Sequence, residues 1–269
     1  MKKKYIGIRG HRGSGKNTIS YLLGQTINFI LTSTKLSEEH RKVFYNTMYD
    51  HWCDEFIKDE SIVLSSRYVY LDSFGDTPKM LVNMLTNIPV EYIYSDYYKD
   101  NCVINIGSFE IWMLEDIDTQ QVTLYSAKQL IELIQKDSST NLNDIYMTLR
   151  EFIIYYATIT SMFLGNDVWV KSKRADESRL GELELDDNDK YIIFTDIKAP
   201  TEVSYIKEKG GWIIKLERPN HIKSDKGIDA LDNDYRIDFT INIDNLFELK
   251  DEIYNISKTI IDYEQCTNN

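Results

Sequence analysis

Hydrophobic positions along the chain alternate between two rhythms. The run Tyr5-Ile6-Gly7-Ile8 is short and β-prone, whereas the apolar residues Ile19, Leu22, Leu23, Ile27 and Ile30 recur at the spacing of a helix over Thr18 to Ile30. A charged amphipathic stretch, Ser37 to Lys58, reads as a second helix, followed by β-prone segments at Ser61 to Leu64 and Tyr68 to Phe74 and a short helical stretch at Thr77 to Leu85. A long helix is predicted from about Met147 to Phe163. The last third repeats the pattern most clearly. Tyr191-Ile192-Ile193-Phe194-Thr195-Asp196 is an apolar strand ending in an acid, a helix runs through Lys209 to the stop at Gly210-Gly211, and Trp212 to Leu216 is the next strand. Ile237 to Ile243 is a further strand, leading into a C-terminal helix capped near Asp244. Strands that alternate with helices predict an α/β fold, a mainly parallel sheet with helices on both faces.

The middle of the chain breaks the rhythm. From about Asn87 to Thr140 it is rich in tyrosine and acid, with strand-like pieces at Cys102 to Ile106 and Val122 to Tyr125. Ser126-Ala127-Lys128-Gln129 matches a capping box opening a helix through Gln135, and a polar break follows at Lys136 to Asn143. The expected organisation is a core of residues 1–86 and 145–269 carrying an inserted substrate-recognition or interface region at 87–144.

Between the first strand and the first helix lies Gly10-His11-Arg12-Gly13-Ser14-Gly15-Lys16-Asn17-Thr18. A strand that ends in a glycine-rich turn and runs into a helix aims several backbone N–H groups at one point, where they cradle phosphates at the helix N-terminus. Lys16 then reaches the β- and γ-phosphates of a nucleotide. The usual pattern puts Ser or Thr directly after the lysine to hold Mg²⁺, but here that position is Asn17 and the hydroxyl comes one later, at Thr18. The expected cofactor-binding set is Gly10, Arg12, Gly13, Ser14, Gly15, Lys16, Asn17 and Thr18, with ATP and Mg²⁺ as ligands.

Charge narrows the partner. The net charge of −12 argues against a nucleic-acid polymer, which needs a basic surface to neutralise phosphates. A small nucleotide needs only a local basic pocket, and Arg9, Arg12 and Lys16 supply one. With 42% hydrophobic and 28% charged residues the composition is that of an ordinary globular protein. No apolar run approaches a membrane span, and Lys2 to Lys4 lead at once into the first strand with no signal-peptide core, so a cytoplasmic location and no membrane partner are expected. Cys53, Cys102 and Cys266 are too widely separated for a metal-ligand spacing or a disulfide framework and read as buried or incidental thiols.

Several segments together resemble the bacteriophage deoxynucleoside monophosphate kinase family, within the nucleoside monophosphate kinase group of P-loop folds. Gly15-Lys16-Asn17-Thr18 is similar to that family's G-K-D-T with Asn in place of Asp, and Ser73-Phe74-Gly75-Asp76-Thr77-Pro78-Lys79 is similar to its F-A-D-P-L-K segment. Thr148-Leu149-Arg150-Glu151 with Tyr156-Ala157-Thr158 resembles its R-x-x-x-Q-x-x-G-T helix, and Asn166-Asp167-Val168-Trp169-Val170 its D-x-W-V segment. Thr195-Asp196-Ile197-Lys198-Ala199-Pro200-Thr201-Glu202, with Lys209-Gly210-Gly211-Trp212 and Glu217-Arg218-Pro219, resembles D-x-R-x-P-x-E followed by G-G and R-P, with Lys198 in place of the usual arginine.

The resemblance implies a P-loop NTPase three-layer sandwich that phosphorylates nucleoside or deoxynucleoside monophosphates from ATP, and a homodimer. It implies Lys16, Arg150, Asp196 and Arg174 as catalytic residues and Lys79, Arg150, Trp169 and Lys198 as acceptor-binding residues. Thr18 and Asp196 are the implied metal ligands. Arg150 suits a phosphate because a guanidinium fork meets it bidentately. Asp196 reads equally as a strand-terminal residue capping the next helix. The cluster Lys171, Lys173, Arg174 and Arg179 reads either as a lid over the phosphates or as a solvated helix face. Phe152, Tyr155, Tyr156 and Trp169 fit a core stripe better than a base-stacking platform. Two other functions stay open: a different small-molecule P-loop kinase, of the dephospho-coenzyme A type, and a nucleotide-binding module without catalysis.

Overall fold

The computed structural model describes residues 3–11, 13–58, 64, 66, 68–105, 111–113, 146–183, 190–218 and 236–267, with the side chains of 105, 111–113, 176–183 and 264–267 left aside. The predicted pieces at Ser61 to Val63, Val122 to Tyr125 and Ser126 to Gln135 lie outside the described residues. In chain order the elements are β1 (Lys3–Arg9), α1 (Lys16–Thr32), α2 (Glu38–Lys58), β2 (Val69–Asp72), α3 (Asp76–Thr86), α4 (Val90–Tyr94) and α5 (Asp96–Asn101). They continue with β3 (Cys102–Asn105), β4 (Ile111–Met113), β5 (Tyr146–Thr148), α6 (Leu149–Leu164), α7 (Val168–Leu183), β6 (Lys190–Ile197) and α8 (Pro200–Glu208). The last are β7 (Trp212–Glu217), β8 (Phe239–Asn242), a 3-10 turn (Leu246–Leu249) and α9 (Lys250–Thr267).

The chain divides into two compact units, one of residues 1–74 with 173–269, the other of residues 75–172. The second unit is wider than the expected insertion at 87–144. Its core shows why: Val82 of α3 and Leu149 and Phe152 of α6 bury their side chains with Ile88, Ile93, Cys102 and Ile104, so both flanking helices belong to that core. Its sheet is antiparallel, in the order β4-β3-β5. The predicted long helix begins at Leu149 because Thr148 caps it: the Glu151 N–H donates to Thr148 Oγ1 at 3.1 Å and the Thr148 N–H donates to Glu151 Oε2 at 2.9 Å. Residues 146–148 therefore pair as β5 instead of joining the helix.

The first unit is an α/β sandwich. Its five strands are all parallel, in the order β2-β6-β1-β7-β8. Alternation along β1 sends Ile6 and Ile8 to one face, where α1, α2 and α9 cover them with Leu22, Leu23, Tyr45, Ile253 and Ile260 in one core. On the opposite face the Tyr5 ring meets Phe194 and Tyr205, at centroid distances of 6.4 and 6.1 Å, under α8. Parallel pairing places every strand's carboxyl end on one edge of the sheet. The helices after the adjacent strands β1 and β6 leave to opposite faces, which opens a crevice at that edge, the usual ligand position in such sheets. The predicted cap at Asp244 is displaced by one residue: Asn245 takes the role, its Oδ1 accepting the Phe247 N–H at 3.1 Å ahead of the 3-10 turn.

Candidate functional site

The crevice is filled by the glycine-rich loop. Gly10 sits where a side chain cannot: a Cβ there would meet Ser14 Oγ and lie 3.1 Å from Leu216 Cβ and 3.2 Å from the Leu216 carbonyl oxygen of β7. Gly15 has φ +78°, in the left-handed region that favours glycine, and it turns the chain into the first turn of α1. The Ser14 N–H donates to the His11 carbonyl at 3.1 Å, closing the turn.

Lys16 folds back over this loop, its Nζ donating to the carbonyls of Gly10 at 2.8 Å and His11 at 2.9 Å. From β6, Asp196 Oδ1 approaches the same ammonium at 3.8 Å, and Lys198 Nζ lies 2.7 Å from Asp196 Oδ2. Arg218, one residue past β7, donates from Nη1 to the Gly13 carbonyl at 3.1 Å. Three strand ends thus bring Lys16, Asp196, Lys198 and Arg218 to one loop. Ser14 Oγ and Asp196 Oδ1 there are buried and have no hydrogen-bond partner among the described residues. A buried hydroxyl and a buried carboxylate oxygen cost free energy unless something supplies them with partners, and phosphate oxygens and a hydrated cation are partners of the right kind.

Behind Asp196, Glu202 holds the turn in place. Its Oε2 accepts the backbone N–H groups of Lys198 at 2.7 Å and Ala199 at 2.9 Å. Burial pushes its carboxyl up to about 7, against those two N–H groups and with the help of the neighbouring Asp196 charge. The sequence carries the signal for this residue, an acid three positions after a would-be N-cap, but Ala199 has no capping oxygen and gives only half of the capping box.

The remaining predicted residues divide by location. Arg12 lies outside the described residues, as does the side chain of Arg179. Asn17 is exposed and Thr18 half-buried in the first turn of α1. Lys79 and Arg150 belong to the second unit, where Lys79 pairs with Asp76 at 3.2 Å and Arg150 forks onto Asp100 and also reaches Asp96 at 3.0 Å. Trp169 is half-buried in the first turn of α7. Arg174 is not brought to the loop: it pairs with Glu208 at 2.7 Å and covers the Tyr205 ring, beside Tyr5 near the opposite, amino end of the strands. Its neighbours in the basic cluster are paired too, Lys171 with Asp167 at 3.0 Å and Lys173 with Asp72 in a half-buried ion pair. Of the aromatic stripe, Phe152 is core and Tyr156 packs on it, while Tyr155 is exposed.

Cys53 and Cys102 are buried, and burial pushes the Cys53 thiol up to about 11, away from the range of a reactive thiolate. Among the described residues no group of three or more His, Cys, Asp or Glu side chains is arranged to hold a metal, and no helix is long and apolar enough to cross a membrane. A Mg²⁺ ion that shares its shell with phosphates and water needs only one or two protein oxygens, and the residues that could offer them are Asp196 of β6 and Thr18 or Asn17 of α1. No protein-family model matches the chain, and no curated protein matches it.

Proposed function

We propose that the chain is an ATP-dependent kinase of nucleoside or deoxynucleoside monophosphates, built on a P-loop sandwich. The observation that carries the reading is the meeting of the loop, Lys16 and Asp196 at the carboxyl edge of a parallel sheet, with a buried Ser14 hydroxyl inside the loop. Phosphoryl transfer asks little covalent chemistry of the protein; positioning and neutralisation of the charge on the transferring group carry it. The loop N–H groups and Ser14 hold the donor phosphates, and Lys16 moves its donors from the Gly10 and His11 carbonyls to the phosphate oxygens. Mg²⁺, when bound, would supply charge neutralisation at the donor phosphates, and Thr18, Asn17 and Asp196 are the residues that would hold it. Lys198 pairs with Asp196 at 2.7 Å, and Arg218 fixes the loop at Gly13. Arg150 is the acceptor-phosphate residue of this reading, supported by its planar fork and by the resemblance of its helix.

A coupled assay of ADP formation with each deoxynucleoside monophosphate in turn tests the activity. Lys16→Ala should lower turnover by roughly 10²- to 10³-fold, the usual cost of deleting one preorganised partner of a developing anion. Unchanged turnover in a folded Lys16→Ala protein removes the reading.

A further inference from the structure

The second unit holds three cations in one place. Arg150 donates from Nε to Asp100 Oδ1 at 2.5 Å and from Nη2 to Asp100 Oδ2 at 3.0 Å and Asp96 Oδ1 at 3.0 Å. Lys99 Nζ lies 2.7 Å from the same Asp96 Oδ1. Lys79 pairs with Asp76 and lies over the Tyr94 ring, 4.6 Å from its centroid. The exposures are lopsided: the Lys99 and Arg150 side chains are 12% and 22% exposed, the Asp96 side chain 77%. The Asp100 side chain, which takes the Arg150 fork, is 43% exposed, so both carboxylates are more open to solvent than the cations they pair with.

The cations also act on one another. Burial lowers the Lys99 pKa, and the charges of Arg150 and Lys79 add to that lowering, while Asp96 opposes it. Such a group needs an anion. The carboxylates that supply it sit on α5, the six-residue helix that also carries Lys99. The fork that Arg150 offers Asp100 is the one a phosphate accepts, and two carboxylates carry the same charge as one phosphomonoester dianion. Exchange of one for the other leaves the charge balance of the cluster unchanged.

We propose that Lys79, Lys99 and Arg150 form a phosphomonoester site in the second unit, and that Asp96 and Asp100 occupy it with their own carboxylates until the ligand's phosphate displaces them. The identity of the ligand as a nucleoside monophosphate rests on the kinase reading; the site and its internal competitor rest on the cluster alone. Lys99, which no pattern in the sequence marks, is then a phosphate ligand, and the two aspartates are a brake on affinity.

The test is the sign of an effect. Binding of deoxythymidine monophosphate and of inorganic phosphate to the full chain is measured by calorimetry for wild type, Asp96→Asn, Asp96→Asn with Asp100→Asn, Lys99→Met and Arg150→Ala, with circular dichroism confirming the fold of each. Removing a competitor that fills nine-tenths of the sites tightens binding about tenfold. Asp96→Asn, at an exposed side chain, and the double variant should therefore bind both probes more tightly. Lys99→Met should weaken both about tenfold or more, and Arg150→Ala roughly 30- to 150-fold, the scale of a bidentate charge-assisted contact. Unchanged or weaker binding in the folded Asn variants overturns the proposal, as does an absence of phosphate binding in all five proteins. The kinase reading fails separately: if the Asn variants tighten phosphate binding while no nucleoside monophosphate is phosphorylated, the site stands without it. If turnover is present but insensitive to Lys99 and Arg150, the kinase stands without this site.

Discussion

Glu202 ties the geometry of the Asp196 turn to pH, with a sign that can be worked out. Its carboxyl is raised from 4.5 to about 7 by burial, so the folded chain binds its proton more tightly than the unfolded chain does. Stability is therefore fullest below the unfolded value near 4.5 and is lost as pH rises through 7, where the folded chain must carry a buried charge. A shift of this size corresponds to about 3 kcal/mol across that window, at 1.36 kcal/mol for each pKa unit. Gln keeps an oxygen to accept the N–H groups of Lys198 and Ala199 and has nothing to ionise. Urea denaturation of both proteins at pH 5, 6, 7 and 8 should show wild type losing stability relative to Glu202→Gln as pH rises. The two should agree within about 1 kcal/mol at pH 5, and the variant should be the more stable by about 2–3 kcal/mol at pH 8. A wild-type-minus-variant difference that is the same at pH 5 and pH 8 refutes the argument. Glu202→Ala should be less stable than Glu202→Gln at every pH, by about 2–4 kcal/mol, because two backbone donors lose their acceptor.

Two further outcomes follow from the loop. Gly10→Ala drives a methyl into Ser14 and the Leu216 backbone, so ATP binding, read by calorimetry, should fall by at least tenfold while far-ultraviolet circular dichroism stays near wild type; wild-type affinity would contradict the packing at that site. Thr18→Ala should weaken Mg²⁺-dependent ATP binding more than Asn17→Ala does, since Thr18 is the half-buried oxygen of the first turn, and the reverse order in Mg²⁺ titrations moves the metal ligand to Asn17.

The parts of the fold legible in the sequence are those set by neighbours along the chain. The strand, turn and helix of residues 3–32 need only local periodicity and glycine placement, and the β6–α8–β7 unit is announced by its apolar run and its Gly210-Gly211 stop. Arg218 meets Gly13 across 205 residues and Lys173 meets Asp72 across 101, pairings that only the sheet order and the return of the chain at residue 173 create. Arg150 was readable as a candidate by its residue type, but its partners Asp96 and Asp100, some 50 residues earlier, were not. The boundary of the second unit is not legible in the sequence for a related reason. Val82, Ile104 and Phe152 share a core without sharing a periodic segment, so the pattern of each alone fits either unit.

The position of β6 in the sheet has a consequence for how the protein comes to be folded. β6 stands between β1 and β2, and β1 pairs with β6 and β7 while β2 pairs with β6. The first 74 residues therefore contain two strands of the sheet and no pairing between them. On a ribosome the sheet cannot begin to assemble until residue 190 has been made, well over a hundred residues after β2, a delay on the order of ten seconds at ordinary elongation rates. During that interval Ile6, Ile8 and Val69, all buried in the finished core, have no strand to pair beside. Such long-range parallel pairing is slow to nucleate and leaves a nascent chain open to aggregation, so the sheet that carries the loop is the late-forming part of the molecule and the part that gains from a chaperone.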